Sequence, residues 1–169
     1  GMRIDEVVKY WLDKHPSTTV TLEDVVNDIM GNMVSLIQEN GKSLPGVIDS
    51  LEFFKRKGLK IGLATSSYEI LLEAVLDKLN IKNYFHVVRS AEKEIYGKPH
   101  PAVYLNTAKE LNVEPEDCLV IEDSFNGMIS GLSAKMKVLV IPEKSHKMNP
   151  KLGMADYHAK SLLEIEDLF

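Results

Sequence analysis

Apolar residues recur at helical spacing through the first forty positions, then give way to short runs broken by glycine and polar turns. Ile4, Val7, Val8, Trp11 and Leu12 predict a helix over 4–14, and Pro16 stops it. Thr21 opens a second helix, with Asp24 three residues on in a near capping-box arrangement. Val25, Val26, Ile29, Met33, Leu36 and Ile37 give that helix one apolar face, and Asn40-Gly41 reads as its end. Residues 1–40 are therefore expected to be a helical pair with no strand.

The pattern changes after Leu44-Pro45-Gly46. A helix is predicted over 47–57, a strand over Leu59–Ala64, a polar turn at Thr65-Ser66-Ser67 and a helix over 68–79. A short strand follows near 85–88, then a long polar loop and a helix over about 102–111. The last elements are a strand at 118–122, a helix at 125–134, a strand at 138–141 and a helix near 161–168. The polar stretch 143–160, with Pro150, reads as irregular surface. Strands alternating with helices predict an α/β fold, a Rossmann-like parallel sheet with helices on both faces. The boundary between helical pair and sheet falls near residues 41–46.

Composition narrows the function classes. With 169 residues the chain makes one compact domain with a small appendage. A net charge of −5, with both signs interspersed, argues against nucleic acid and anionic membranes as partners. No apolar run is long enough for a spanning helix and the first residues lack the apolar core of a signal peptide, so a cytoplasmic location is the expectation. The single cysteine, Cys118, sits in an apolar run and reads as a small hydrophobe rather than a nucleophile. The five histidines show no metal-ligand spacing, which argues against zinc.

Three polar features fall at strand ends or in the long loop. Thr65-Ser66-Ser67 offers hydroxyls and free N–H groups that suit an anion, or simply cap the next helix. Lys98, within Gly97-Lys98-Pro99-His100-Pro101, is either a fixed point charge for phosphate or a solvated lysine in a turn. Glu122 and Asp123 end an apolar strand, Leu119-Val120-Ile121, at the carboxyl edge where open α/β sheets place their chemistry. Paired carboxylates there suit Mg²⁺, a hard cation that takes oxygen ligands and keeps several waters; equally, Asp123-Ser124 can cap the helix that follows. Hydroxyls, a cation and a Mg²⁺ pair together describe a phosphoryl site.

Leu-Ala-Thr-Ser-Ser at 63–67, Gly-Lys-Pro-His-Pro at 97–101 and Val-Ile-Glu-Asp-Ser-Phe-Asn-Gly at 120–127, in that order, resemble motifs two to four of the haloacid dehalogenase superfamily. The likeness is to the β-phosphoglucomutase-like branch, and within it to sugar- and hexitol-phosphate phosphatases. The resemblance implies a Mg²⁺-dependent phosphatase of small phosphorylated sugars or sugar alcohols acting through an aspartyl-phosphate, with mutase chemistry or a non-catalytic phosphate-binding remnant as alternatives. It implies that Thr65 and the amide of Ser66 hold phosphoryl oxygens, that Lys98 holds the phosphoryl group beside the nucleophile, and that Asp123 with Glu122 binds Mg²⁺. Asn126 would lie beside them, and Arg3 loosely matches a substrate-contacting arginine of the cap. Residues 1–42 would be the closing part of a helical cap and 43–169 the α/β core.

One family motif is missing. No Asp-x-Asp occurs in the chain, and no strand precedes the helical pair. The family's first Asp is the covalent nucleophile, so this chain is expected to be inactive alone. The strand that carries it would lie centrally, between the strands ending at Thr65 and Glu122. The favoured reading is a piece of a longer enzyme. The other is a chain that begins near Met2 and closes the gap by pairing those two strands directly, or by sharing a strand in a dimer.

Overall fold

The computed structural model describes residues 2–16, 19–143 and 149–169. Helix α1 (Ile4–Lys14) and helix α2 (Leu22–Asn40) form the expected pair. The α2 start is fixed by a reciprocal cap: Thr21 Oγ1 accepts from the Asp24 amide, and an Asp24 carboxylate oxygen accepts from the Thr21 amide, both at 3.1 Å. Val8 of α1 and Val26 and Met30 of α2 are buried against Leu71. The expected apolar faces are wider than the buried ones. Trp11, Met33 and Leu36 are exposed, because the pair packs on the rest of the chain along one side only, through Val25, Ile29, Val34 and Ile37.

Among the described residues, the α-helices and strands that follow are α3 (Val47–Arg56), β1 (Gly62–Thr65), α4 (Glu69–Leu79), β2 (Val87–Ser90), α5 (Ala102–Leu111), β3 (Leu119–Glu122), α6 (Phe125–Ser133), β4 (Lys137–Val140), β5 (Tyr157–His158) and α7 (Ile165–Leu168). All strand pairing among the described residues is parallel. The first strand starts later than its apolar run suggests: Leu59 is exposed, and Lys60 is drawn aside to donate to the Leu111 carbonyl at 2.6 Å. The expected terminal helix is shorter, a 3-10 turn at Leu162–Glu164 leading into α7.

The stretch read as irregular surface is more ordered than its polarity implies. It carries a 3-10 turn (Pro150–Met154) and β5, and it buries Leu152 and Ala159. Two inward apolar residues in a polar segment are too few to show a period. Residues 144–148 of that stretch lie outside the described residues.

The sheet is in two pieces, β1-β2 and β3-β4-β5. Direct pairing of β1 with β3, one of the two ways of closing the gap, does not occur. Helices hold the pieces together instead. On one face, Val103, Tyr104 and Ala108 of α5 and Met128 of α6 form a single cluster with Val120, Val138 and Val140, and Ala64 packs against it. On the other face α3 spans both pieces. Leu51 joins Leu72 and Leu76 beside Leu63 and Val88, while Phe53 joins Leu139 and Ile165 beside Ile121. Among the described residues, no helix is long and apolar enough to cross a membrane.

Candidate active site

The site is built at the carboxyl ends of β1 and β3, where strands hand over to the loops that lead into α4 and α6. At its centre is Lys98. The loop before α5 carries it inward, leaving its side chain only 5% exposed, which overturns the solvated-lysine reading. Its ammonium donates to the Ala64 carbonyl of β1 at 3.1 Å, to Tyr104 Oη at 2.8 Å and to Glu122 Oε1 at 2.6 Å. A buried ammonium is tolerated only when its three donors are met and its charge is balanced, and both conditions hold here.

Glu122 is the anion that balances it. Its Oε1 also accepts from Tyr104 Oη at 2.5 Å. Its Oε2 accepts from the Asp123 and Ser124 amides, each at 3.2 Å, and from Ser124 Oγ at 3.0 Å. Burial by itself would raise the Glu122 carboxyl, but the Lys98 charge and the hydrogen bonds from Lys98, Tyr104 and Ser124 prevail and hold it below the usual carboxylate range. Gly127 makes room for this carboxylate: a Cβ there would lie 1.9 Å from Glu122 Cδ.

Asp123 has the opposite character. Its side chain reaches solvent, and partial burial together with the negative charge of Glu122 pushes its carboxyl above the usual value. A carboxylate raised by a neighbouring anion is relieved by a cation, so Asp123 with Glu122 fits Mg²⁺. The fit is partial: no cluster of three His, Cys, Asp or Glu side chains exists among the described residues, and both Glu122 oxygens are already engaged. Waters or further groups would have to fill most positions, as Mg²⁺ accepts.

The capping alternatives resolve differently at the two turns. Ser124 does cap α6, accepting from the Gly127 amide at 3.0 Å, so one turn both caps a helix and presents the carboxylates. At 65–67, Thr65 Oγ1 accepts from the Ser67 amide at 3.1 Å, whereas Tyr68, the residue that precedes α4, gives that helix no side-chain cap. Ser90 Oγ, at the end of β2, donates to the Ser67 carbonyl at 2.6 Å and fixes the turn beside Lys98.

Asn126 and Lys98 line one open cleft of about 810 Å³, together with Met2, Glu6, Tyr96 and His100. Arg3 is placed next to this cleft but is spent on structure. Its guanidinium donates to the Glu94 and Ala91 carbonyls at 2.7 and 3.3 Å and pairs with Asp5 at 2.9 Å, which ties the start of α1 to the segment after β2. Tyr104 escaped sequence reasoning. The signal for it is weak: a tyrosine on the apolar stripe of α5 needs a partner for its hydroxyl once buried. Cys118 is half-buried with its thiol on the Glu114 carbonyl at 3.4 Å, and burial followed by the Asp117 charge raises it, consistent with a packing role.

The haloacid dehalogenase-like hydrolase family matches residues 6–135, most of the chain and all three polar motifs. The chain belongs to that family. Hexitol phosphatase B of Escherichia coli K12 is 38% identical over 165 residues, 98% of this chain and 74% of that protein. The phosphorylated carbohydrates phosphatase of Thermotoga maritima is 33% identical over 133 residues, covering 79% and 59% of the two chains. Among solved structures, the β-phosphoglucomutase of Clostridium difficile superposes with a TM-score of 0.81 at 27% identity, over 99% of this chain and 76% of that one. CbbY of Rhodobacter sphaeroides, solved with phosphate, has the same fold with a TM-score of 0.88 at 24% identity, over 98% and 76% of the two chains. Within the haloacid dehalogenase-like fold, the Lys98–Glu122 pair sits at the carboxyl edge of the parallel sheet.

Proposed function

We propose that this chain is the phosphoryl- and Mg²⁺-holding part of a phosphatase of small sugar or sugar-alcohol phosphates. The observation that carries the reading is the buried ammonium of Lys98, held between Ala64, Tyr104 and Glu122 and flanked by a carboxyl, Asp123, raised by partial burial and by the charge of Glu122. The two phosphatase relatives support the reaction and the substrate class. Lys98 supplies a fixed positive charge to a phosphoryl oxygen, and the Thr65 hydroxyl and Ser66 amide donate to others. Mg²⁺ bound at Asp123 with Glu122 would offset the remaining negative charge of the phosphate. Residues 1–42 act as the closing part of a cap over this edge, with Arg3 latching cap to core and Asn126 facing the sugar. No nucleic acid or membrane enters this reading, and the protein works in the cytoplasm.

An aspartyl-phosphate route needs a carboxylate nucleophile in line with the leaving hydroxyl. Neither carboxyl of the site is placed for this: Glu122 is locked on Lys98, and Asp123 is assigned to the metal. The nucleophile must come from other residues, so the chain alone binds but does not turn over. Calorimetry with Mg²⁺ and glucitol 6-phosphate on residues 1–169, paired with phosphate release from a chain extended to include Asp-x-Asp, tests the reading. Binding without turnover in the first and turnover in the second is expected. No binding by the folded protein, or no phosphate release by the extended one, rejects it. The β-phosphoglucomutase likeness favours one other reading, an isomerising enzyme; an isomer in place of free phosphate would identify it.

A further inference from the structure

His100 is pinned at three points and still shows its ring to the open cleft. Its amide donates to the Gly97 carbonyl at 3.0 Å, and its carbonyl accepts at 2.8 Å from Ser130 Oγ, on a fully buried serine of α6. Its Nδ1 accepts from the Ala102 amide, at the start of α5, at 3.2 Å. A ring nitrogen that accepts carries no proton, so the proton is on Nε2. Among the described residues, no hydrogen bond of the chain uses Nε2. The ring lines the cleft beside Tyr96, with the two centroids 5.3 Å apart. Capping of α5 accounts for Nδ1; it leaves a fixed N–H donor unused at the cleft wall.

Glu6 faces the same cleft from α1. Its Oε2 accepts from the Arg3 amide at 3.2 Å, which leaves Oε1 as the available acceptor. A Cβ on Gly97 would lie 3.1 Å from Oε1, so this oxygen stands beside the residue that precedes Lys98. Arg3 Nε is 3.9 Å away from it, too far to donate. A fixed donor and a fixed acceptor on one cleft suit hydroxyls, because each hydroxyl both donates and accepts. They do not suit the phosphate, which the Glu6 charge repels and the Lys98 charge attracts. The two charges therefore orient a phosphorylated polyol, with its phosphate at Lys98 and its hydroxyls toward Glu6 and His100.

The shape of the cleft agrees. Asn126, Ile129 and Ser133 line it from one face of α6, which starts just after Glu122 and Asp123. From Asn126 to Ser133 that face runs about 10 Å, at about 1.5 Å per residue. An open-chain polyol can lie lengthwise along it. We infer that His100 and Glu6 are specificity-determining residues, His100 Nε2–H donating to one hydroxyl of an open-chain sugar-alcohol phosphate and Glu6 Oε1 accepting from another. The inference rests on the phosphatase reading and adds which part of the substrate is read, and by which side chains.

Calorimetry on the 169-residue chain with Mg²⁺ and three probes tests it. The probes are inorganic phosphate, hexyl phosphate, which has the chain length without the hydroxyls, and glucitol 6-phosphate. Glucitol 6-phosphate should bind about tenfold or more tighter than hexyl phosphate, the worth of one or two hydrogen bonds. His100→Asn keeps an oxygen for the Ala102 amide but is too short to place a donor where Nε2 lies. Glu6→Gln keeps an oxygen for the Arg3 amide and turns the available acceptor into a donor. Each variant should lose most of the preference for glucitol 6-phosphate and hold inorganic phosphate no more weakly than the parent. A parent that holds inorganic phosphate but binds the two esters equally would overturn this inference and leave the phosphatase reading standing. So would variants that keep the preference, or variants that lose all three probes in equal proportion, which would mark a structural role. A parent that binds none of the three rejects both readings.

Discussion

Gly127→Ala puts the site geometry to a severe test, because elsewhere in a helix the same change is mildly stabilising. Gly127 lies in the first turn of α6, where alanine gains about 0.5–1 kcal/mol over glycine from backbone entropy. Here the added methyl would lie 1.9 Å from Glu122 Cδ and 2.0 and 2.2 Å from its two oxygens, so the carboxylate must leave its seat. Leaving it breaks the 2.6 Å pair with Lys98 and strands an ammonium that is 5% exposed. Removing one partner from a buried pair costs about 3–5 kcal/mol, so the net loss should be about 2–4 kcal/mol after the helix gain. Urea denaturation followed by circular dichroism measures it, as a lower midpoint at unchanged slope. Gly31→Ala is the control: that glycine is in α2 with nothing within 4 Å of a new Cβ, and the change should stabilise by about 0.5–1 kcal/mol. Adding Lys98→Met to Gly127→Ala should cost much less than the sum of the two, since the stranded charge is gone. A Gly127→Ala protein as stable as the parent would refute the argument that Glu122 must occupy that space.

Asp123→Asn should raise the melting temperature at pH 7 without divalent cation, because a carboxyl raised in the fold stabilises only while protonated and loses that stability as pH climbs through its raised value. Millimolar Mg²⁺ should then raise the melting temperature of the parent but not of the variant; equal shifts in both would remove Asp123 from the metal site. Glu122 has the opposite sign: its stabilisation is complete above its ordinary value of 4.5 and fades as pH falls through the lowered value, so Glu122→Gln should flatten the acid limb of the stability profile in differential scanning calorimetry. Tyr104→Phe keeps the ring against Lys98 but deletes a hydroxyl that contacts both Lys98 and Glu122; it should cost about 1–3 kcal/mol in urea titration, and a neutral outcome would show that the hydroxyl does not hold the pair.

The sequence alone was enough for the helical pair, the alternation of strands and helices and the parallel sheet, because period and turn chemistry are local properties. It also pointed to Thr65, Lys98, Glu122 and Asp123, since each sits where an apolar run meets glycine, proline or a small polar turn. Tertiary structure decided how these residues divide the work. Glu122 and Asp123 are neighbours in sequence and alike in chemistry, but they face different surroundings. One is enclosed by Lys98, Tyr104 and Ser124 and held ionised; the other reaches solvent and is raised. Arg3 shows the same limit: the family resemblance offered it only as a loose match to a substrate-contacting arginine, and the packing adds that it bonds to the Ala91 and Glu94 carbonyls far along the chain. The gap between β1 and β3 is likewise a tertiary fact. An apolar strand reads the same whether one edge or both are paired, because side-chain alternation reports the faces of a sheet and says nothing of its edges.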